Sequence, residues 1–301
     1  MVRRGKGKSR ILVIMLFLFV VFSSVYITRS QNLNYRSDDV AKNAGGTLLV
    51  HFIDVGQADS VLIQSGEYNM LVDAGNNADA ELVMHYLRNA GVTRLDYLIA
   101  THGHEDHIGS LDTVIYYFSV GELFMPRQSH DTDSYQDVLS AIEDRNIQVT
   151  VPEFNEVRSL GEAKFVFVSP DMDKNYKRLN DSSIGIRITN GTHSFLMCGD
   201  AGKELEKSMI ESNIYLRSNV LKINHHGGDD TTSEAFLDAV APEFVVITCA
   251  DENKYGHPHE KTLKKLRERE IDAFRTDIQG TIVFFSDGNQ LISNHKALEA
   301  R

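Results

Sequence analysis

The chain has 301 residues, 42% of them hydrophobic and 24% charged, which is enough apolar material for one sizeable core and excludes a disordered or fibrous protein. Five prolines, 21 glycines and the absence of a fixed-period repeat exclude collagen-like arrays, solenoids and low-complexity tails. The formal net charge is −11, and residues 1–30 hold six basic residues and no acidic one, so the remainder is more acidic still, repels polyanions at long range and does not suit a simple DNA-binding module.

The basic opening Met1–Arg10 leads into the unbroken apolar run Ile11–Phe22. Residues 1–30 therefore read as a signal peptide or an N-terminal membrane anchor whose positive flank stays in the cytoplasm, the rest being exported. The best small-residue cleavage site is a poor one, Val21-Phe22-Ser23, which favours a retained anchor and the extracellular face of the membrane over secretion. Residues 31–46 are polar, end in Gly45-Gly46 and read as a flexible stalk, leaving 47–301 as one domain.

From Thr47 the pattern turns to short β-type runs: Leu48–Ile53, Ser60–Gln64 and Met70–Val72, the last two joined by a turn at 65–69. Ala78–Ala90 has helical spacing and stops at Gly91, and Leu95–Ala100 is an apolar strand. Further helices are predicted at 108–118, 134–146, 202–213, 233–239 and 259–269. Strands are predicted near 120–125, 147–151, 163–168, 184–189, 193–198, 219–224, 243–249, 271–275 and 280–286. Hairpins mixed with single helices, and no internal linker, predict an α/β sandwich of two sheets with helices packed outside. The two cysteines, Cys198 and Cys249, adjoin apolar strands and read as buried free thiols, although export would permit a disulfide.

The residues with most chemistry are Thr101-His102-Gly103-His104-Glu105-Asp106-His107, directly after a predicted strand. Three His and one Asp within six positions supply the imidazole and carboxylate donors that borderline divalent cations prefer. More donors end later apolar runs: Gly199-Asp200, His225-His226-Gly227, and Asn180-Asp181 ahead of a third run. Each of these alone reads equally as a turn or helix cap.

Together with His51-Phe52-Ile53-Asp54-Val55-Gly56-Gln57-Ala58-Asp59-Ser60, Val72-Asp73-Ala74-Gly75, Leu221–Gly227, Tyr255-Gly256-His257-Pro258 and Thr276-Asp277 with Gly280-Thr281, these motifs make residues 47–290 resemble the metallo-β-lactamase superfamily, and within it the hydrolase domain of ComEC-type competence proteins. The resemblance implies an αββα sandwich of two mixed sheets with outer helices, and two divalent metal ions at one edge between the sheets. It implies His102 and His104 on the first metal, Asp106 and His107 on the second, and Asp200 bridging them. His225 or His226 completes the second site, and His225 is taken here. Asp181 stands where many relatives have a further histidine for the first metal, a harder donor that widens the expected metal from zinc to zinc or manganese. Ala58 and Cys198 depart from the usual Gly and Thr at non-ligand positions, and the multi-spanning channel that accompanies this domain in competence proteins is missing from the sequence.

The function implied is hydrolysis of a phosphodiester, single-stranded DNA by analogy, by hydroxide activated between two metals. Asp106, His226 and His257 are the expected catalytic residues, with His257 protonating the leaving oxygen unless it is an ordinary loop histidine. Lys222 reads more simply as an exposed lysine than as a phosphate contact. Asp54, Asp59 and Asp73 either hold turns or orient ligand histidines through their second ring nitrogen. Lys261, Lys264 and Lys265 share their segment with Glu260, Glu268 and Glu270, which describes a solvated mixed-charge helix. Two other readings stay open: a phosphodiesterase of cell-wall teichoic acid, of its phosphorylcholine or of a small ester, and a non-catalytic surface binding protein on the same fold. No protein partner is identifiable.

Overall fold

The computed structural model describes residues 46–169 and 176–298. The predicted anchor and almost all of the predicted stalk lie outside them. Among the described residues no helix is long and apolar enough to cross a membrane.

Two sheets form the body. The eight-stranded sheet has the order β15-β14-β1-β2-β3-β4-β5-β6, with β1 Leu48–Phe52, β2 Val61–Ser65, β3 Tyr68–Val72, β4 Arg94–Ile99, β5 Ser119–Phe124, β6 Val149–Thr150, β14 Ile282–Ser286 and β15 Leu291–Ser293. The seven-stranded sheet has the order β13-β12-β11-β10-β9-β8-β7, with β7 Val157–Leu160, β8 Ala163–Phe167, β9 Ile186–Asn190, β10 His193–Met197, β11 Val220–Lys222, β12 Phe244–Ile247 and β13 Asp272–Arg275. Both are mixed. β3 pairs antiparallel with β2 and parallel with β4, while β10 pairs antiparallel with β9 and parallel with β11.

The period of two along the strands sorts side chains into layers. Leu48, Val50 and Phe52 of β1, Val61 and Ile63 of β2 and Met70 and Val72 of β3 point into a central cluster with Phe165, Phe167, Phe195 and Phe284, which fills the space between the sheets. The intervening Leu62 and Leu71 face outward, onto helices α1 (Ala80–Asn89) and α3 (Leu111–Tyr117). On the far side, Leu196, Leu221 and Val245 meet α5 (Lys203–Glu211), α6 (Glu234–Val240) and α7 (Glu260–Glu268). Three apolar layers between four structural ones are the αββα sandwich the motifs implied. Cys198 and Cys249 are buried free thiols, as the sequence predicts.

Local chemistry sets the element ends. Asp79 accepts from the backbone N–H of Asn76 at 2.8 Å just before α1, and the Ser233 hydroxyl caps α6 by accepting from Phe236 N at 3.3 Å. The predicted helix 108–118 is broken: α2 covers Glu105–Ile108 and α3 restarts at Leu111. β7 and β15 are strands that sequence reasoning missed.

A candidate metal centre at the sheet edge

The functional side chains converge where β3, β4, β10, β11 and β12 end, the edge at which parallel strands release their loops. β3 delivers Asp73, β4 delivers Thr101, His102 and His104, and α2 (Glu105–Ile108) carries Asp106 and His107. The second sheet delivers Asp200 after β10, His225 and His226 after β11, and Thr248 after β12. Gly199 has φ +52, and a Cβ there would lie 2.7 Å from Thr101 Oγ1, so only glycine lets the Asp200 turn approach the opposing loop.

Ring orientation fixes the chemistry. His107 donates from Nδ1 to Asp73 Oδ2 at 2.8 Å, and Asp73 is itself held by Thr101 N at 2.8 Å and Thr101 Oγ1 at 2.7 Å. His226 donates from Nδ1 to the Thr248 carbonyl at 2.9 Å. In both neutral rings Nε2 is therefore the lone-pair end. His107 Nε2 lies 3.2 Å from Asp200 Oδ1, and His226 Nε2 lies 3.3 Å from Asp106 Oδ2 and 3.7 Å from Asp200 Oδ1. His107 Nε2, His226 Nε2 and Asp200 Oδ1 are buried and have no hydrogen-bond partner. Acceptors aimed at one another at this burial need a cation or protons between them. The second group brings His102, His104 and Asp200 together, with His102 Nε2 3.0 Å from His104 Nδ1 and 3.8 Å from Asp200 Oδ2. Asp200 is common to both groups.

The protonation balance agrees. Burial works against charge on His107, yet Asp200, Asp73 and Asp106 around it push its pKa well above the usual imidazole value. His226 is raised by Asp59 and Asp200 against the same penalty. Asp106 and Asp200 are held far below the ordinary carboxylate range despite their burial, chiefly by His107. Without a metal, protons on these two rings neutralise the carboxylates. Burial pushes His102 and His104 down, leaving them as neutral donors. The donor set of imidazole nitrogens and carboxylate oxygens thus fits divalent metal ions in both groups.

Three expectations change. His226, not His225, is the histidine turned into the cluster with Asp106, His107 and Asp200. His225 is 27% exposed, with Nδ1 3.5 Å from Asp230 Oδ1 and Nε2 3.7 Å from Asp200 Oδ2. Asp181 is not brought into either group, because its Oδ1 accepts from Leu205 N at the start of α5, at 3.3 Å. Its neighbour Asn180 instead donates to Asp200 Oδ2 at 3.4 Å. Lys222 is 2% exposed rather than solvated, its charge balanced by Asp59 Oδ2 at 2.5 Å. Asp59 faces the Nδ1 sides of His107 and His226, at 3.7 and 3.5 Å, and accepts from Thr248 Oγ1 at 2.5 Å, so it supports the rings from behind.

His257 lies at the rim. Gln57, whose Oε1 accepts from Ala250 N, donates to His257 Nδ1 at 3.2 Å and leaves Nε2 as the N–H end. Burial and the neighbouring His225 and His226 push its pKa down to about 4. Beneath the His225-His226 turn, whose two residues have φ of 51° and 53°, lies Glu206, a fully buried carboxylate absent from the sequence reasoning. It accepts from Asn224 Nδ2 at 2.9 Å, Thr232 N at 2.5 Å and Ser233 N at 2.8 Å. Its sequence context is that of an amphipathic helix and carries no signal of this role.

Residues 53–249 match the family model described as the metallo-beta-lactamase superfamily. The chain is 27% identical over 253 residues to ComE operon protein 3 of Bacillus subtilis (strain 168), covering 78% of this chain and 32% of that protein. It is 30% identical over 264 residues to competence protein ComA of Neisseria gonorrhoeae, covering 84% and 34%. The chain therefore spans about a third of the length of these relatives. Among solved structures, the metallo-beta-lactamase fold protein YhfI from Bacillus subtilis superposes with a TM-score of 0.53 at 15% identity, covering 80% of this chain and all of that one, a likeness of fold alone.

Proposed function

Since the chain belongs to the metallo-β-lactamase superfamily, we propose that it is a metal-dependent phosphodiesterase acting outside the cell on single-stranded DNA. The observation that carries the reading is the pair of donor groups sharing Asp200: Asp59, His107 and His226 on one side, with Asp106 Oδ2 3.3 Å from His226 Nε2, and His102 and His104 on the other. Zinc or manganese ions held there would supply Lewis acidity and an activated water.

The chain's own residues do the rest. Asp73, Thr248 and Asp59 hold the rings of His107 and His226 in the orientation that presents Nε2. His257, kept neutral by its lowered pKa, has its Nε2–H end free of Gln57 and donates a hydrogen bond that stabilises charge on the departing oxygen. The resemblance to the hydrolase domain of competence proteins, two of which are relatives by sequence, supports the DNA substrate, and the apolar run Ile11–Phe22 supports export with a membrane anchor.

The test is hydrolysis of bis-p-nitrophenyl phosphate and of single-stranded DNA by the full chain loaded with manganese or zinc. Turnover of both, lost in Asp106→Ala and His226→Ala, is expected. Metal binding with no turnover of either would refute a hydrolase and leave a binding protein on the same fold. The acidity of the chain favours one second reading, a cell-wall phosphodiester or small ester as substrate. Salt separates the two, because a polyanion loses affinity steeply as ionic strength rises and a small ester does not.

A further inference from the structure

A DNA-cleaving enzyme this acidic gains little from long-range attraction to phosphates, so its grip on a strand must come from the site and from the bases. At the rim, three rings run from solvent to the donor cluster. Tyr255 is 53% exposed, and its ring is stacked on His257 with centroids 5.6 Å apart and an interplanar angle of 24°. His257 in turn lies nearly parallel to His226, at 6.4 Å and 23°. The innermost ring of this column is thus one of the cluster's own donors, and the outermost lies in solvent.

The outer ring is held in place. Asn253 Oδ1 accepts from Tyr255 N at 3.2 Å and from His257 N at 2.9 Å, and the same side chain donates to the Ala250 carbonyl at 2.9 Å. The Tyr255 carbonyl is engaged by His259 Nε2 at 2.9 Å, and Gly256, at φ +72, makes the turn between the two stacked rings. Lys254 Nζ lies over the Tyr255 ring, 4.9 Å from its centroid, a cation on a flexible stem that a stacking base would displace toward its own phosphate. Among the described residues, none of the other exposed aromatic side chains, such as Tyr68, Tyr117 and Tyr215, makes a ring contact with His257 or a residue of the cluster.

We propose that Tyr255 is a stacking platform for a nucleobase of the single-stranded substrate, extending the Tyr255–His257–His226 column by one ring so that an adjacent phosphodiester lies over the donor cluster. This rests on the phosphodiesterase reading above. Stacking is blind to base identity, since every base has a π-face, and the platform therefore selects single strands without selecting sequence. A duplex keeps its bases stacked on one another and cannot offer one.

The experiment compares hydrolysis of oligothymidylate with hydrolysis of an abasic chain of equal length by the full protein, using wild type, Tyr255→Ala and Tyr255→Phe. Wild type is expected to show a KM about tenfold lower for oligothymidylate than for the abasic chain. Tyr255→Ala raises the oligothymidylate KM about tenfold and so erases the preference over the abasic chain, and Tyr255→Phe restores the preference. Equal KM for the two chains in wild type, or a preference that survives Tyr255→Ala, overturns the platform while leaving the phosphodiesterase intact. Turnover of bis-p-nitrophenyl phosphate but of neither chain overturns the nucleic-acid substrate and the platform with it.

Discussion

Replacing Asp73 by Asn changes one atom's chemistry at the back of the centre and almost nothing else. Asp73 has φ 59, a region that Asn tolerates, and is buried, so the backbone and packing can be kept. Its carboxylate takes three donors: Thr101 N on Oδ1, and Thr101 Oγ1 and His107 Nδ1 on Oδ2. An amide cannot serve all three. If its NH2 replaces Oδ2, His107 must turn Nδ1 into an acceptor and place its proton on Nε2, which then donates to Asp200 Oδ1 and is lost as a metal donor. If the NH2 replaces Oδ1, it faces the Thr101 N–H and leaves a buried donor unsatisfied, at about 1–3 kcal/mol. The first arrangement costs metal affinity by about 10- to 100-fold, the usual effect of losing such a support, or about 1.4–2.7 kcal/mol. Competition against a chromophoric chelator reads the affinity, and long-range proton–nitrogen correlation spectra of the imidazoles read which nitrogen of His107 carries the proton. A folded Asp73→Asn protein that binds metal within twofold of wild type, with Nδ1 still protonated, would refute the argument.

Three further outcomes follow from the geometry. Removing one donor separates the two adjacent histidines: His226→Ala should lose about one metal per chain by elemental analysis after gel filtration, whereas His225→Ala should keep both. Glu206→Ala strands Asn224 Nδ2, Thr232 N and Ser233 N and should lower urea-unfolding stability by about 3–5 kcal/mol, a loss under 1 kcal/mol being inconsistent with its burial. His51, buried against Tyr86 on β1, has its pKa pushed down to about 4 by burial, so the unfolded chain binds its proton first as pH falls. Its contribution is complete above about pH 6.5 and is lost toward pH 4, up to about 3 kcal/mol. Stability measured across that window should fall less steeply in His51→Gln than in wild type.

How much of this could be read from the residues depended on whether neighbours in sequence or neighbours in space decide the outcome. The central strands were readable because burial on one or both faces writes an apolar pattern into five or six consecutive residues, as in Val61–Ser65 and Arg94–Ile99. β7 and β15 were not, because edge strands of three or four residues owe their pairing to β8 and β14 and carry no pattern of their own. The donor types were readable from His102–His107, but the choice between His225 and His226 was not. Two adjacent residues have the same local signal, and the selection is made by the Thr248 carbonyl, on another strand, pinning one ring. Lys222 was misjudged on composition alone. It ends a fully buried parallel strand, and its counter-ion Asp59 comes from the loop before β2 in the other sheet. Asp181 caps α5 and stands outside both donor groups, and a carboxylate that caps a helix and one that ligates a metal look alike in one dimension.

The pairing of β1 with β14 bears on how the chain is made. Leu48 lies opposite Ser286 and Phe52 opposite Ile282, so β1, the first strand among the described residues, keeps one ladder of N–H and C=O groups open until β14, Ile282–Ser286, has been made. All the centre's donors, and both partners of the inter-sheet Lys222–Asp59 bridge, are synthesised before that gap is filled. Long-range closure of this kind slows folding, and an unpaired apolar strand recruits other chains. A nascent protein that stalls short of residue 282 would carry all the centre's donors on a sheet whose β1 edge is still open, so the arrival of β14 is what closes that sheet.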